Sequence, residues 1–169
     1  MAAGHFALVV KYTANGFTGV SPGFGGWATN TLKFGIMGQY YGGSSTPHLA
    51  DSDPRWGSGG SQNWSTGEVT PGGNYSAGGI TLTGATINAP GQGGSVTIFK
   101  IDSPILLTAH ASNPTNAYWG VFYDSTDSGK HVIGLLDLGG PISLVSGLQI
   151  RVQGLAGGTA AVFRASPQP

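Results

Sequence analysis

The chain has 169 residues, enough for one domain that buries about 70% of the surface its unfolded form exposes. Charged residues make up only 8%, with seven acids against seven bases, where an ordinary soluble domain carries roughly 25%. The lack of any basic excess argues against nucleic acid as the main partner, and the lack of cysteine rules out disulfide and thiolate sites.

A net charge near zero favours contact between copies, so part of the surface is expected to be hidden in an assembly. The 31 glycines and ten prolines follow no collagen period and fit many short strands joined by tight turns. The opening residues, MAAGHFALVVKYTANG, lack a charged leader, and Lys11 soon interrupts their apolar run. Neither a secretion signal nor a membrane span is predicted, which places synthesis in a cytoplasm without export by an ordinary signal.

Phe6–Tyr12 alternates as a short strand. The glycine-rich stretch that follows sets Phe17, Phe24 and Trp27 among small residues and reads as an arm ordered by neighbouring subunits. Residues 1–30 are thus taken as an N-terminal strand and extended arm, and 31–169 as a single β domain. Thr31–Tyr41 is a strand with Leu32, Phe34, Ile36 and Tyr40 on one face. Residues 42–73 read as a long polar loop. Trp56 and Trp64 within it, with Tyr40 and Tyr41 before it, are expected as interface anchors.

Strands are predicted at Ile80–Ile87, Ser95–Asp102 and Ile105–Ala111, then at Leu148–Gln153 and Ala160–Arg164. Between these lies the most informative stretch, AYWGVFYDSTDSGKHVIGLLDLGG, from Ala117 to Gly140. It reads as a hairpin whose turn gives Gly129 a positive φ. Alternation puts Trp119, Val121 and Tyr123 on one face of the first arm and Tyr118 and Phe122 on the other. In the second arm it puts Val132, Leu136 and Leu138 opposite Ile133 and Leu135. Arms apolar on both faces must be covered on both, by a second sheet or by another molecule. This adds Tyr118 and Trp119 to the interface candidates. No helix longer than a turn or two is predicted, and the fold class is all-β: a sandwich, jelly roll or flattened barrel of roughly eight strands.

Catalytic constellations are thin. Nucleophile-elbow, phosphate-loop and dinucleotide motifs are missing in strict form. Asp124–Gly129 has the wrong spacing for an EF-hand and reads as a polar hairpin turn. His48, Asp51 and Asp53 share one loop and could hold a divalent ion with help from elsewhere, although such acids more commonly cap turns. His110 reads as a core or edge histidine, and His5 and His131 have no partner at metal-ligand spacing in the sequence. The only glutamate is Glu68, and nothing pairs it with Asp102 or Asp137 as glycoside hydrolysis requires. No catalytic residue, metal site or cofactor is predicted. A sugar-stacking platform of Trp56, Trp64, Tyr40 and Tyr41 keeps a carbohydrate-binding module as the rival of another class.

Two segments carry a resemblance. EVTPGGNYSAGGITLTG (Glu68–Gly84) and the hairpin resemble a group of small tailed-bacteriophage virion proteins. In that group an N-E-V-x-G-x-x-Y-x-A-G-G-x-x-L segment precedes A-x-x-x-V-x-Y-D-D-T and a K-x-L-I-G-x-x-D-F-G arm. Glu68, Val69, Tyr75, Ala77, Gly78, Gly79 and Leu82 match the first part. Ala117, Val121, Tyr123, Asp124, Ile133, Gly134, Asp137 and Gly139 match the second. The resemblance spans Thr31 to Val152 and departs at Ser125, at Leu138 and in the longer loop before Glu68. It implies a non-enzymatic virion component: a head decoration (cement) protein, forming trimers and binding the major capsid protein at the capsid surface. A tail, collar or fibre protein is the nearest alternative.

Overall fold

The computed structural model describes residues 6–8, 31–38, 53–59, 62–83, 85–88, 98–101, 104–154 and 161–166. Among the described residues the fold is all-β, and the strand pairings are antiparallel apart from one two-residue parallel pair. The strands are β1 (Phe6–Leu8), β2 (Leu32–Met37), β3 (Pro54–Arg55), β4 (Gln62–Asn63), β5 (Ile80–Thr81) and β6 (Ala85–Asn88). They continue with β7 (Ile98–Ile101), β8 (Ile105–Leu107), β9 (Ala117–Asp124), β10 (Val132–Ile142), β11 (Leu148–Gly154) and β12 (Ala161–Ser166).

The predicted hairpin is the centre of the molecule. β9 and β10 lie inside a five-stranded sheet of order β1-β10-β9-β2-β5, and a three-stranded sheet of order β12-β11-β8 forms the second layer. The single strand expected over Ile80–Ile87 is two strands in different sheets, β5 and β6. The strand expected to run to Ala111 stops at Leu107.

Between the layers lies the larger core, where Leu32, Phe34, Ile36, Phe122, Ile133 and Leu136 of the first sheet meet Ile105, Leu107, Leu148 and Ile150 of the second. Phe34 and Phe122 sit opposite each other in the register of β2 and β9, with ring centroids 4.9 Å apart in an edge-to-face contact.

The other face of the five-stranded sheet has its own core of Met37, Trp56, Trp64, Val121, Tyr123, Val132 and Leu135. Its cover is residues 53–59 and 62–67, with the short parallel pair β3–β4 and a 3₁₀ turn, from the region that reads as polar loop. Trp56 lies flat on Tyr123, with centroids 5.2 Å apart and planes 14° apart. It fits because Gly35 beneath it has no side chain, and a Cβ there would lie 2.5 Å from the indole. Both faces of the hairpin are thus covered by the chain itself, which answers the question its two-sided apolarity poses.

The face assignment of β10 needs correcting. Val132 pairs with Tyr123 but Gly134 pairs with Phe122, so two residues of β10 oppose one of β9. This bulge shifts the alternation by one residue. Ile133 therefore joins Leu136 and Leu138 in the larger core, while Val132 joins Leu135 in the smaller one. The turn differs too, since Lys130 carries the positive φ, at 47°, and Gly129 does not. Gly129 is needed for space instead: a Cβ there would lie 2.6 Å from Arg55 Nη1 and 2.7 Å from His131 Cε1.

Candidate functional site

Two polar constellations hold neighbouring segments to the five-stranded sheet. The first begins at a 3₁₀ turn over Trp64–Gly67, capped by Asn63, whose Oδ1 accepts from Ser65 N at 3.1 Å and Ser65 Oγ at 2.7 Å. The turn buries Trp64 and sets Glu68 beside β2, where Gly38 N donates to Gly67 O (2.9 Å) and Val69 N to Ile36 O (3.0 Å). Glu68 Oε1 then accepts from the Tyr75 hydroxyl at 2.9 Å and from Gly78 N at 2.7 Å. The Tyr75 oxygen in turn accepts from Ile36 N at 2.9 Å, and the Tyr123 hydroxyl donates to Gly78 O at 2.6 Å.

Gly79 completes the arrangement at φ +80°, so close to the Phe34 carbonyl that no side chain fits. Burial, and then the Glu68 carboxylate, push both Tyr75 and Tyr123 well above the ordinary tyrosine range. Both phenols stay neutral and serve as fixed hydrogen-bonding groups.

The second constellation joins the cover to the β9–β10 turn. The backbones of Arg55 and His131 form a bridge, and Trp56 N donates to Lys130 O at 2.8 Å. Arg55 grips Asp53 Oδ2 through Nε (3.1 Å) and Nη2 (2.9 Å). His131 lies between two carboxylates, with Nδ1 on Asp127 Oδ2 and Nε2 3.4 Å from Asp53 Oδ1. Burial works against the Asp127 carboxylate. The hydrogen bond from the His131 ring, with backbone N–H groups of the turn, outweighs it and holds Asp127 below the usual carboxylate range. Asp124 caps the same turn, its Oδ1 accepting from Thr126 N (2.9 Å) and Asp127 N (3.2 Å).

Of the sequence-predicted interface residues, Trp56 and Trp64 are 3% and 0% exposed, inside the chain's own core. They are therefore neither surface anchors nor a sugar-stacking platform, because a covered ring face cannot stack on a ligand. Tyr118 and Trp119 are half-buried on β9. Phe17, Phe24, Trp27, Tyr40 and Tyr41 lie outside the described residues, as do His5, His48, Asp51 and Asp102. His110 is an exposed loop residue rather than a core or strand histidine, and its Nδ1 accepts from Ser112 N at 3.0 Å. Asp137 Oδ1 accepts from Gly139 N at 2.8 Å.

Among the described residues no three His, Cys, Asp or Glu side chains are placed to hold a metal ion, and no helix is long and apolar enough to cross a membrane. A cleft of about 190 Å³ between β5 and β8, lined by Ile80–Thr83 and Pro104–Leu106, has no ionisable side chain.

Reading by sequence missed the Asp53–His131 contact, which joins residues far apart in the chain. The Asp127–His131 spacing of four residues was visible but has no fixed meaning across a turn. Comparisons with protein-family models, curated proteins and solved structures find no match.

Proposed function

We propose that this chain is a non-enzymatic bacteriophage virion protein, a decoration (cement) protein that binds the major capsid protein lattice as a homotrimer and stabilises the head. The observation that carries the reading is the Glu68–Tyr75–Gly78–Tyr123 network. It uses residues from both segments that carry the resemblance and brings them into one contact. Glu68, Tyr75, Gly78 and Gly79 fix one segment to β2, and Tyr123 fixes the hairpin to that segment. The matching residues thus specify a scaffold, as expected of a structural component. The low and balanced charge supports the reading as well, since it suits repeated contact with a lattice. Many weak contacts repeated by symmetry would then add up against the internal pressure of packaged DNA.

The test is to measure the mass of the purified protein by light scattering, then its binding to expanded capsid shells that lack it. Trimers that saturate the shells at a symmetric copy number are the expected result. A protein that ignores the shells and is scarce in purified virions by gel densitometry belongs to the tail, collar or fibre, and the head assignment fails.

A further inference from the structure

We infer that the two-stranded ribbon of β6 and β7 couples copies of this chain by laying one face in the cleft between β5 and β8 of a neighbour. This rests on the reading of the chain as a self-associating shell component and names the surface that joins the copies. β6 and β7 pair with each other and, among the described residues, with no other strand. Register sets Ala85 opposite Ile101 and Ile87 opposite Phe99, so these four apolar residues share one face. Thr86, Asn88, Ile98 and Lys100 share the other. A lone two-stranded ribbon is at best marginally stable in water, so an amphipathic one calls for a partner against its apolar face.

The cleft is the matching surface. β5 is the last strand of the five-stranded sheet and β8 the last of the three-stranded one, so two open edges flank it. Its walls include Ile80, Leu82 and Ile105. Leu106 beside them is 46% exposed, the one large apolar side chain so exposed among the described residues. No wall residue carries a charge, and the apolar face of the ribbon carries none either. At about 190 Å³ the cleft has room for one aromatic ring.

The ribbon does not reach the cleft of its own copy. One residue, Gly84, links Thr83 of one wall to β6, and two residues link β7 to Pro104 of the other wall. Links of this length are too short for the ribbon to double back over the walls it starts from. A second copy supplies the ribbon instead, and a net charge of zero sets up no repulsion between copies. The contact is heterologous, ribbon to cleft, so repetition around an axis closes a ring in which every copy gives one ribbon and receives one.

The experiment is light scattering of the full-length protein and of two variants, Phe99→Lys on the ribbon face and Leu106→Lys at the cleft, each checked for the wild-type circular dichroism spectrum. The expected result is an assembled wild-type protein and variants whose mass falls to one copy, while Thr86→Lys, on the opposite ribbon face, keeps the wild-type mass. Leu106 is well exposed, so its variant carries the comparison if Phe99→Lys does not fold. Because the chain has no cysteine, differently tagged Ile87→Cys and Leu106→Cys chains, co-expressed and then oxidised, give a direct check: a disulfide should join one of each. A monomeric wild type, a Leu106→Lys protein of unchanged mass, or co-expressed chains that form no mixed disulfide would each overturn the coupling. The capsid reading fails separately. A monomer that saturates the shells keeps that reading and loses this one, and a ribbon-coupled assembly that ignores the shells does the reverse.

Discussion

The space above Gly35 sets how closely the cover approaches the sheet. A methyl group at this position meets the rigid indole of Trp56, which cannot retreat without lifting off Tyr123. Gly35→Ala should therefore destabilise the protein by about 1–3 kcal/mol in urea unfolding, as overpacking does. The two network tyrosines should differ. Tyr75→Phe strands the buried Ile36 N–H and should cost about 1–3 kcal/mol. Tyr123→Phe loses one bond to a part-buried carbonyl and should cost about 1 kcal/mol. Equal losses would mean that the Ile36 amide finds another partner. Such contacts are hard to read from the chain, because Gly35 looks like any strand glycine until Trp56 is placed above it.

Strand type and order along the hairpin follow from alternation, so β2, β9, β10 and β11 were legible in the sequence. Two things were not. Periodicity carries no mark of the bulge at Ile133, which reverses the phase of β10 partway along. The region 42–73 reads as loop because it is polar and rich in glycine, yet its two tryptophans make the cover. Composition averages over a segment, whereas packing depends on two side chains within it. The element-scale prediction follows: Trp56→Ala should cost about 3–5 kcal/mol, as large buried truncations do. It should also expose the second face of the sheet, read as binding of a hydrophobic dye before global unfolding. A loss under about 1 kcal/mol would show that residues 53–59 and 62–67 are not the cover.

At the scale of the whole molecule, titration links the two constellations to stability. Tyr75 and Tyr123 lose their protons more readily in the unfolded chain than in the folded one. The unfolded state therefore holds fewer protons above about pH 10, and stability should fall as pH rises beyond that point. Tyrosinate absorbance should follow, with these two rings ionising only as the fold is lost. Asp127 behaves in the opposite sense. Its lowered value stabilises the fold above the ordinary carboxylate range, and that contribution disappears as pH falls below about 4. An Asp127→Asn variant should lack that acid limb in a thermal unfolding series.

The bulge at Ile133 bears on which changes of length this chain can tolerate. Two residues of β10 share one partner of β9 there, so losing one of them would restore regular pairing and leave Leu135, Leu136 and Leu138 on their present sides. Lineages that carry this fold should differ in length by the one extra residue of the bulge and keep the count fixed in the turn, which Asp124 caps and which Lys130 and His131 join to the cover.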